Sequence, residues 1–227
     1  MDEETRLMAA TSFGYGRWSA RHWFLGPEQG MVKTAQLKTR VDAWVHLGSH
    51  ELDDCMKFHH FIKEYRWHGL EGCKAQLQST WGKLLVALMA YQDSPIDRDN
   101  RRNYQVNSWG RETGDTCVIE LSGLAAHNLT IERDRESFLD RRIQIIRSRI
   151  EEYEPEFVVL YGKTEGCKRA IHEITKGAQQ IKSYSALSHN TWRLGATLIA
   201  ATPHPRWTDN GQWQELGKKL RLTHLSG

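Results

Sequence analysis

The sequence predicts an α/β protein, a three-layer α/β/α sandwich around a central, mainly parallel sheet. Short apolar runs at Trp23-Phe24-Leu25, Thr116-Cys117-Val118-Ile119-Glu120-Leu121, Phe157-Val158-Val159-Leu160-Tyr161 and Ala196-Thr197-Leu198-Ile199-Ala200 have the length and side chains of buried strands. Segments with apolar residues at three- and four-residue steps lie between them, as covering helices require. Each run empties into a polar turn, so strands and helices alternate along the chain.

Taken in order, residues 1–20 read as an irregular lead-in, with Phe13-Gly14-Tyr15-Gly16-Arg17-Trp18 too broken for a helix. Val41 to His46 alternates in a way that allows a short strand or edge segment. Leu52, Cys55, Met56, Phe58, His59, Phe61 and Ile62 mark a helix over 51–65. A second follows a Ser79 or Thr80 cap, with Trp81, Leu84, Leu85 and Leu88 buried. Asp93 to Arg102 reads as a connection. Helices are expected over 133–153, from Gly162-Lys163-Thr164 through Ile174, and over 209–220. Residues 176–195 read as loops.

Composition sets bounds. At 227 residues the chain fits one domain, 1–227, or a domain with a large insertion. A net charge of +3 permits a nucleic-acid partner without demanding one. Nine tryptophans are enough to fill a core and line a groove. No run of 18 apolar residues occurs, and Met1-Asp2-Glu3-Glu4 is acidic where a secretion signal is basic, so a soluble, cytoplasmic protein is expected. Cys55, Cys73, Cys117 and Cys167 form no close pair and read as reduced structural thiols, while His46, His50, His59 and His60 read as ordinary surface or core histidines. No metal and no cofactor is expected.

The stretch that draws most attention is Gly26-Pro27-Glu28-Gln29-Gly30, directly after the first strand. Gly26 and Gly30 let backbone approach a ligand, and Glu28 is either a catalytic or ligand-reading carboxylate or a solvated loop residue. Glu120, inside an apolar strand that ends at Ser122, is costly unless paired or useful. In Asn107-Ser108-Trp109-Gly110-Arg111 an aromatic and a cation sit side by side. Trp109 and Arg111 either stack on a base and hold a phosphate, or Trp109 caps the core.

Three strand ends together resemble the uracil-DNA glycosylase superfamily over most of the chain. Gly26-Pro27-Glu28-Gln29-Gly30 is similar to its glycine-flanked first motif, and Val158-Val159-Leu160-Tyr161-Gly162 after Glu154-Pro155-Glu156 is similar to its helix, Pro and apolar strand. His204-Pro205 after the last strand stands in the place of its His-Pro motif. The resemblance implies that fold and excision of a flipped, deaminated or modified base from DNA, double- or single-stranded. It places Glu28 and His204 in catalysis, the first orienting water and the second donating to the departing base. Gly26, Pro27, Gln29 and Gly30 would form the pocket, with Glu120 or Ser122 reading the base and Trp44 stacking on it. A glutamate at 120 in place of an amide would accept from an amino-bearing base.

The sequence also departs from the family pattern. Gln29 stands where proline is common, and Arg206-Trp207 replaces small residues after His204-Pro205. Trp207 is then either a wedge for the gap left by the flipped base, with Arg206 on phosphate, or the start of the last helix. The long stretch between Gly30 and Thr116 leaves room for a helical insertion at about 45–100. Two alternatives stay open: a glycosylase fold that binds nucleic acid or nucleotide without cleaving, and a different hydrolase using Glu28 and Glu120 as paired carboxylates.

Overall fold

A computed structural model describes residues 1–30, 35–70, 72, 74–126, 129–182, 187 and 190–226. The side chains of residues 28–30, 35, 125–126, 129–136 and 182 are outside that description. An eight-stranded mixed sheet runs through the molecule in the order β3-β1-β4-β2-β5-β8-β7-β6. Its centre is parallel: β2 (His22–Gly30) lies between β4 (Thr116–Ala126) and β5 (Phe157–Tyr161), and β5 pairs with β8 (Thr197–Thr202). Antiparallel pairs extend it on both sides, through β1 (Gly14–Tyr15) against β4 and through β7 (Asn190–Leu194) and β6 (Gln179–Lys182) beyond β8. The short β3 (Leu52–Asp53) runs parallel to β1 at one edge.

Alternation along the central strands divides the core into two layers. Phe24, Val118, Phe157, Val159, Leu198 and Ala200 face α2 (Ala35–His46), α3 (Cys55–Phe61), α4 (Ser79–Tyr91) and α8 (Asn210–Leu225). Trp23, Leu25, Cys117, Ile119, Val158, Leu160 and Ile199 face α6 (Leu129–Tyr153) and α7 (Glu165–Ile174). Every residue of β5 is buried, as expected of a parallel strand covered on both faces. The architecture is therefore the expected α/β/α sandwich with a mainly parallel centre. Helices α4 and α8 pack closely because Gly217 has no side chain: a Cβ there would run into the Ala87 carbonyl. Among the described residues, no helix is long and apolar enough to cross a membrane.

Several local expectations give way to capping and packing. Residues Glu3–Thr11 form α1 rather than an irregular lead-in, since the Asp2 carboxylate accepts from Thr5 N–H at 2.8 Å and Glu3 and Glu4 occupy its first turn. The alternation at 41–46 belongs to helix α2, which buries Arg40, Val41, Ala43 and Trp44 on one face. The polar run after Asp93 holds α5 (Arg98–Asn107), started by Asp97 accepting from Asp99 and Asn100 N–H at 3.0 and 2.9 Å. Helix α4 is capped by Gln78 rather than by the expected Ser79 or Thr80. The loops expected at 176–195 contain the β6–β7 pair, and β4 continues past Ser122 to Ala126.

The register of β2 creates an opening. Its pairing with β5 ends at Leu25–Leu160, whereas its pairing with β4 continues through Gly26–Glu120 and Glu28–Ser122 to Gly30–Ala126. Pro27, which has no N–H, stands where the strand has lost one neighbour.

Candidate functional site

A cleft of about 620 Å³ opens where β2 and β5 part, lined by Pro27 of β2, Glu120 of β4, Tyr161 at the end of β5 and, just after β8, His204. Tyr15 of β1, Gln36 and Arg40 of α2, His59 of α3, Gln78, Thr80 and Trp81 at the start of α4 and the segment bearing Glu64, Arg66 and Trp67 complete the lining, with Arg206 and Trp207. In open α/β sheets this rim is where ligands bind.

Glu120 is 7 % exposed, and its Oε2 has no hydrogen-bond partner among the described residues. Burial pushes its pKa up to about 8, opposed by Arg142 and Arg40. At neutral pH it is therefore mostly a carboxylic acid, with an O–H donor and a carbonyl acceptor on one group. This changes the sequence expectation of a purely accepting carboxylate. The Tyr161 ring lies against the bare backbone of Gly26, where any Cβ would collide with it, and burial holds its phenol well above the usual tyrosine range.

His204 Nδ1 accepts from Arg206 N–H at 3.1 Å, which leaves the ring proton of the neutral imidazole on Nε2. Burial, then the charges of Arg206 and Lys83, lower its pKa, so the ring is a neutral N–H donor. Lys83 fixes this turn by donating to the carbonyls of Pro205, at 2.8 Å, and Thr208. At the mouth, the Arg206 guanidinium sits 5.3 Å from the ring of Trp207, and Trp207 is 74 % exposed. Arg40 is a buried part of the lining, 3.5 Å from Glu64 and 5.9 Å from the Phe58 ring.

Of the residues singled out from the sequence, Pro27, Glu120, His204, Arg206 and Trp207 line the cleft. Gly26 underlies Tyr161, and the backbones of Glu28, Gln29 and Gly30 continue β2 beside Pro27, their side chains lying outside the described set. Ser122 Oγ donates to the Leu124 carbonyl at 2.9 Å and accepts from Leu124 N–H, so it serves the backbone locally. Pro205 is buried.

Three residues are corrected. Trp44 is fully buried in the core with its indole N–H on the His50 carbonyl at 2.9 Å, and has no face for a base. Trp109 is likewise sealed, packed on Phe24 and Trp81 with centroids at 5.0 and 6.2 Å, which favours its core-capping alternative. Arg111 is drawn to Asp54 at 2.7 Å, steadying the cap of α3 rather than facing a ligand. Sequence reasoning missed Tyr15, Arg40 and Trp81 as lining residues: Tyr15 and Trp81 carried only burial-prone character, and Arg40 carried no signal.

Beside the cleft, one group of side chains was not foreseen. Cys55 Sγ lies 3.5 Å from His59 Nδ1 and 3.4 Å from His68 Nε2, all three residues being buried. Nδ1 of His59 donates to the Cys55 carbonyl at 2.7 Å. Burial lowers the two imidazoles, to about 3 for His59 and about 4 for His68, and raises the thiol. The spacing Cys-x3-His-x8-His spans a helix and a loop, so no short motif announces it.

No protein-family model and no curated protein sequence matches this chain. The chemistry of the cleft thus rests on its own residues.

Proposed function

We propose that the cleft receives a flipped nucleobase and that the protein is a DNA glycosylase, hydrolysing the N-glycosidic bond of a deaminated or modified base. The observation that supports this reading most is convergence: Pro27 of β2, Glu120 of β4, Tyr161 at the end of β5 and His204 just after β8 share one cleft of nucleobase-compatible size. In the proposed reaction Glu28, the residue after Pro27, orients water towards C1′ and stabilises the positive charge that develops on the sugar. Water adds to C1′, its proton passing to the Glu28 carboxylate, as the base leaves with the electron pair of the broken C–N bond and then takes up a proton from solvent. The neutral His204 donates its N–H to the base oxygen on which negative charge grows.

Glu120 gives the reading a substrate preference. A protonated carboxyl offers one donor and one acceptor, as a side-chain amide does, and so matches a base edge carrying a carbonyl beside an N–H. Uracil and related oxo bases have such an edge. Arg206 and Trp207 at the mouth fit a strand's phosphate and an unstacked base.

The test is incubation with single- and double-stranded DNA carrying one modified base at a time, followed by alkaline cleavage. The wild type is expected to give scission at oxo bases, with Glu28→Gln and His204→Ala lowering the rate about 100-fold or more. Tight binding without scission on any base would replace the enzyme with a nucleic-acid-binding module.

A further inference from the structure

We propose that Cys55, His59 and His68 form a binding site for a single thiophilic divalent cation of the zinc class. This inference does not depend on the glycosylase reading. In a tetrahedral site with metal–sulfur bonds of about 2.3 Å and metal–nitrogen bonds of about 2.0–2.1 Å, sulfur and nitrogen ligands stand roughly 3.5 Å apart. The observed Sγ to Nδ1 and Sγ to Nε2 separations are 3.5 and 3.4 Å, and the three donor atoms all lie within 4.8 Å of one another.

Local structure supplies the arrangement. Cys55 opens α3 and His59 follows one turn later on the same face, with Asp54 capping the helix through Met56 and Lys57 N–H. His68 arrives from the loop after α3, whose next residue, Gly69, is tied by its carbonyl to His60 Nε2 at 2.8 Å. One thiolate and two imidazoles form a donor set suited to zinc or cobalt rather than magnesium or calcium. Three protein ligands leave a fourth coordination position for water or another donor.

The protons balance. Cys55 releases its thiol proton to solvent as the metal–sulfur bond forms. His59 changes tautomer: Nδ1 exchanges its hydrogen bond to the Cys55 carbonyl for the metal, and Nε2 takes the ring proton. A carboxylate is placed to accept from that new N–H, since Glu64 Oε2 lies 3.9 Å from His59 Nε2, a small side-chain adjustment from a hydrogen bond. Carboxylate support of a ligating histidine is the usual second layer of such sites.

Titration of the full-length, reduced protein with cobalt(II) tests the proposal directly. The expected result is a sulfur-to-cobalt charge-transfer band and intense tetrahedral ligand-field bands that saturate at one equivalent and vanish on adding zinc. Cys55→Ser should lose the charge-transfer band and His68→Gln the tetrahedral bands, while Cys167→Ser keeps both. Far-ultraviolet circular dichroism establishes that each variant is folded. Absence of a charge-transfer band in the wild type at saturating cobalt would overturn the site, as would its persistence in folded Cys55→Ser. If Cys55→Ser does not fold, unchanged cobalt spectra and stoichiometry in folded His68→Gln would overturn it equally.

Discussion

Arg142 Nη2 donates to the backbone carbonyl of Glu120 at 2.8 Å, from a side chain only 1 % exposed. The same guanidinium reaches the Leu121 carbonyl at 2.8 Å and the Ala9 carbonyl at 3.0 Å, with Phe13 beneath it at 4.2 Å. One residue of α6 therefore anchors the strand segment presenting Glu120 and ties α1 to it. Burial works against this charge and Glu120 works for it. The anchor is a fork of divergent donors, which an ammonium cannot reproduce.

Arg142→Met is accordingly expected to destabilise the fold by about 3 kcal/mol or more, because three carbonyls lose a buried charged donor. Arg142→Lys should recover little of that. Urea midpoints at constant m-value measure both effects.

A second expectation concerns pH. Glu120 titrates near its ordinary value of 4.5 when unfolded and at about 8 when folded. Between these values the native state holds a proton that the unfolded chain has lost, so the stability contributed by Glu120 is fully present below about 4.5 and is lost as pH rises through about 8. Glu120→Gln should remove this portion of the slope, read from denaturation midpoints across the window.

The central layers could be read from the sequence because Phe24-Leu25, Val118-Ile119 and Val158-Val159-Leu160 are apolar enough to be strands in any setting. The elements that escaped carry weaker patterns. Helix α5 buries Gln105 alone among its residues, so only its Asp97 cap marked it. For α1, Asp2 followed by Glu3 and Glu4 was a start signal masked by the polar character of the segment. The cleft divides similarly. Pro27 and His204 stand in the polar segments that follow the first and last apolar runs, and Glu120 is a charge inside an apolar strand, features by which function could be suspected. Tyr15 arrives through the antiparallel pairing of β1 with β4, and His59 and Trp81 through helix packing, relationships that linear spacing does not encode.

Gly26→Ala should cost about 1–3 kcal/mol, since the added methyl drives the buried Tyr161 ring from its place on the β2 backbone. In a Tyr161→Ala background the added cost should shrink. A double-mutant cycle in denaturant measures that coupling.

The exposed pair at the mouth should affect binding and leave stability nearly unchanged. On the glycosylase reading, Trp207→Ala weakens single-stranded DNA binding by about 1–3 kcal/mol, and Arg206→Ala lowers the salt-dependence slope by about one. Fluorescence anisotropy over a salt series gives both quantities, and thermal denaturation checks the stability of each variant.

Beyond Leu25 the sheet divides like a two-pronged clamp: β4 and β2 travel on together while β5 and β8 form the other prong. The aperture between the prongs is set by main-chain ladders, whereas its selectivity belongs to the groups hung upon them. A lineage could exchange Glu120, Tyr161 or His204 and retain the same gap, so new chemistry here would demand new side chains but no new scaffold.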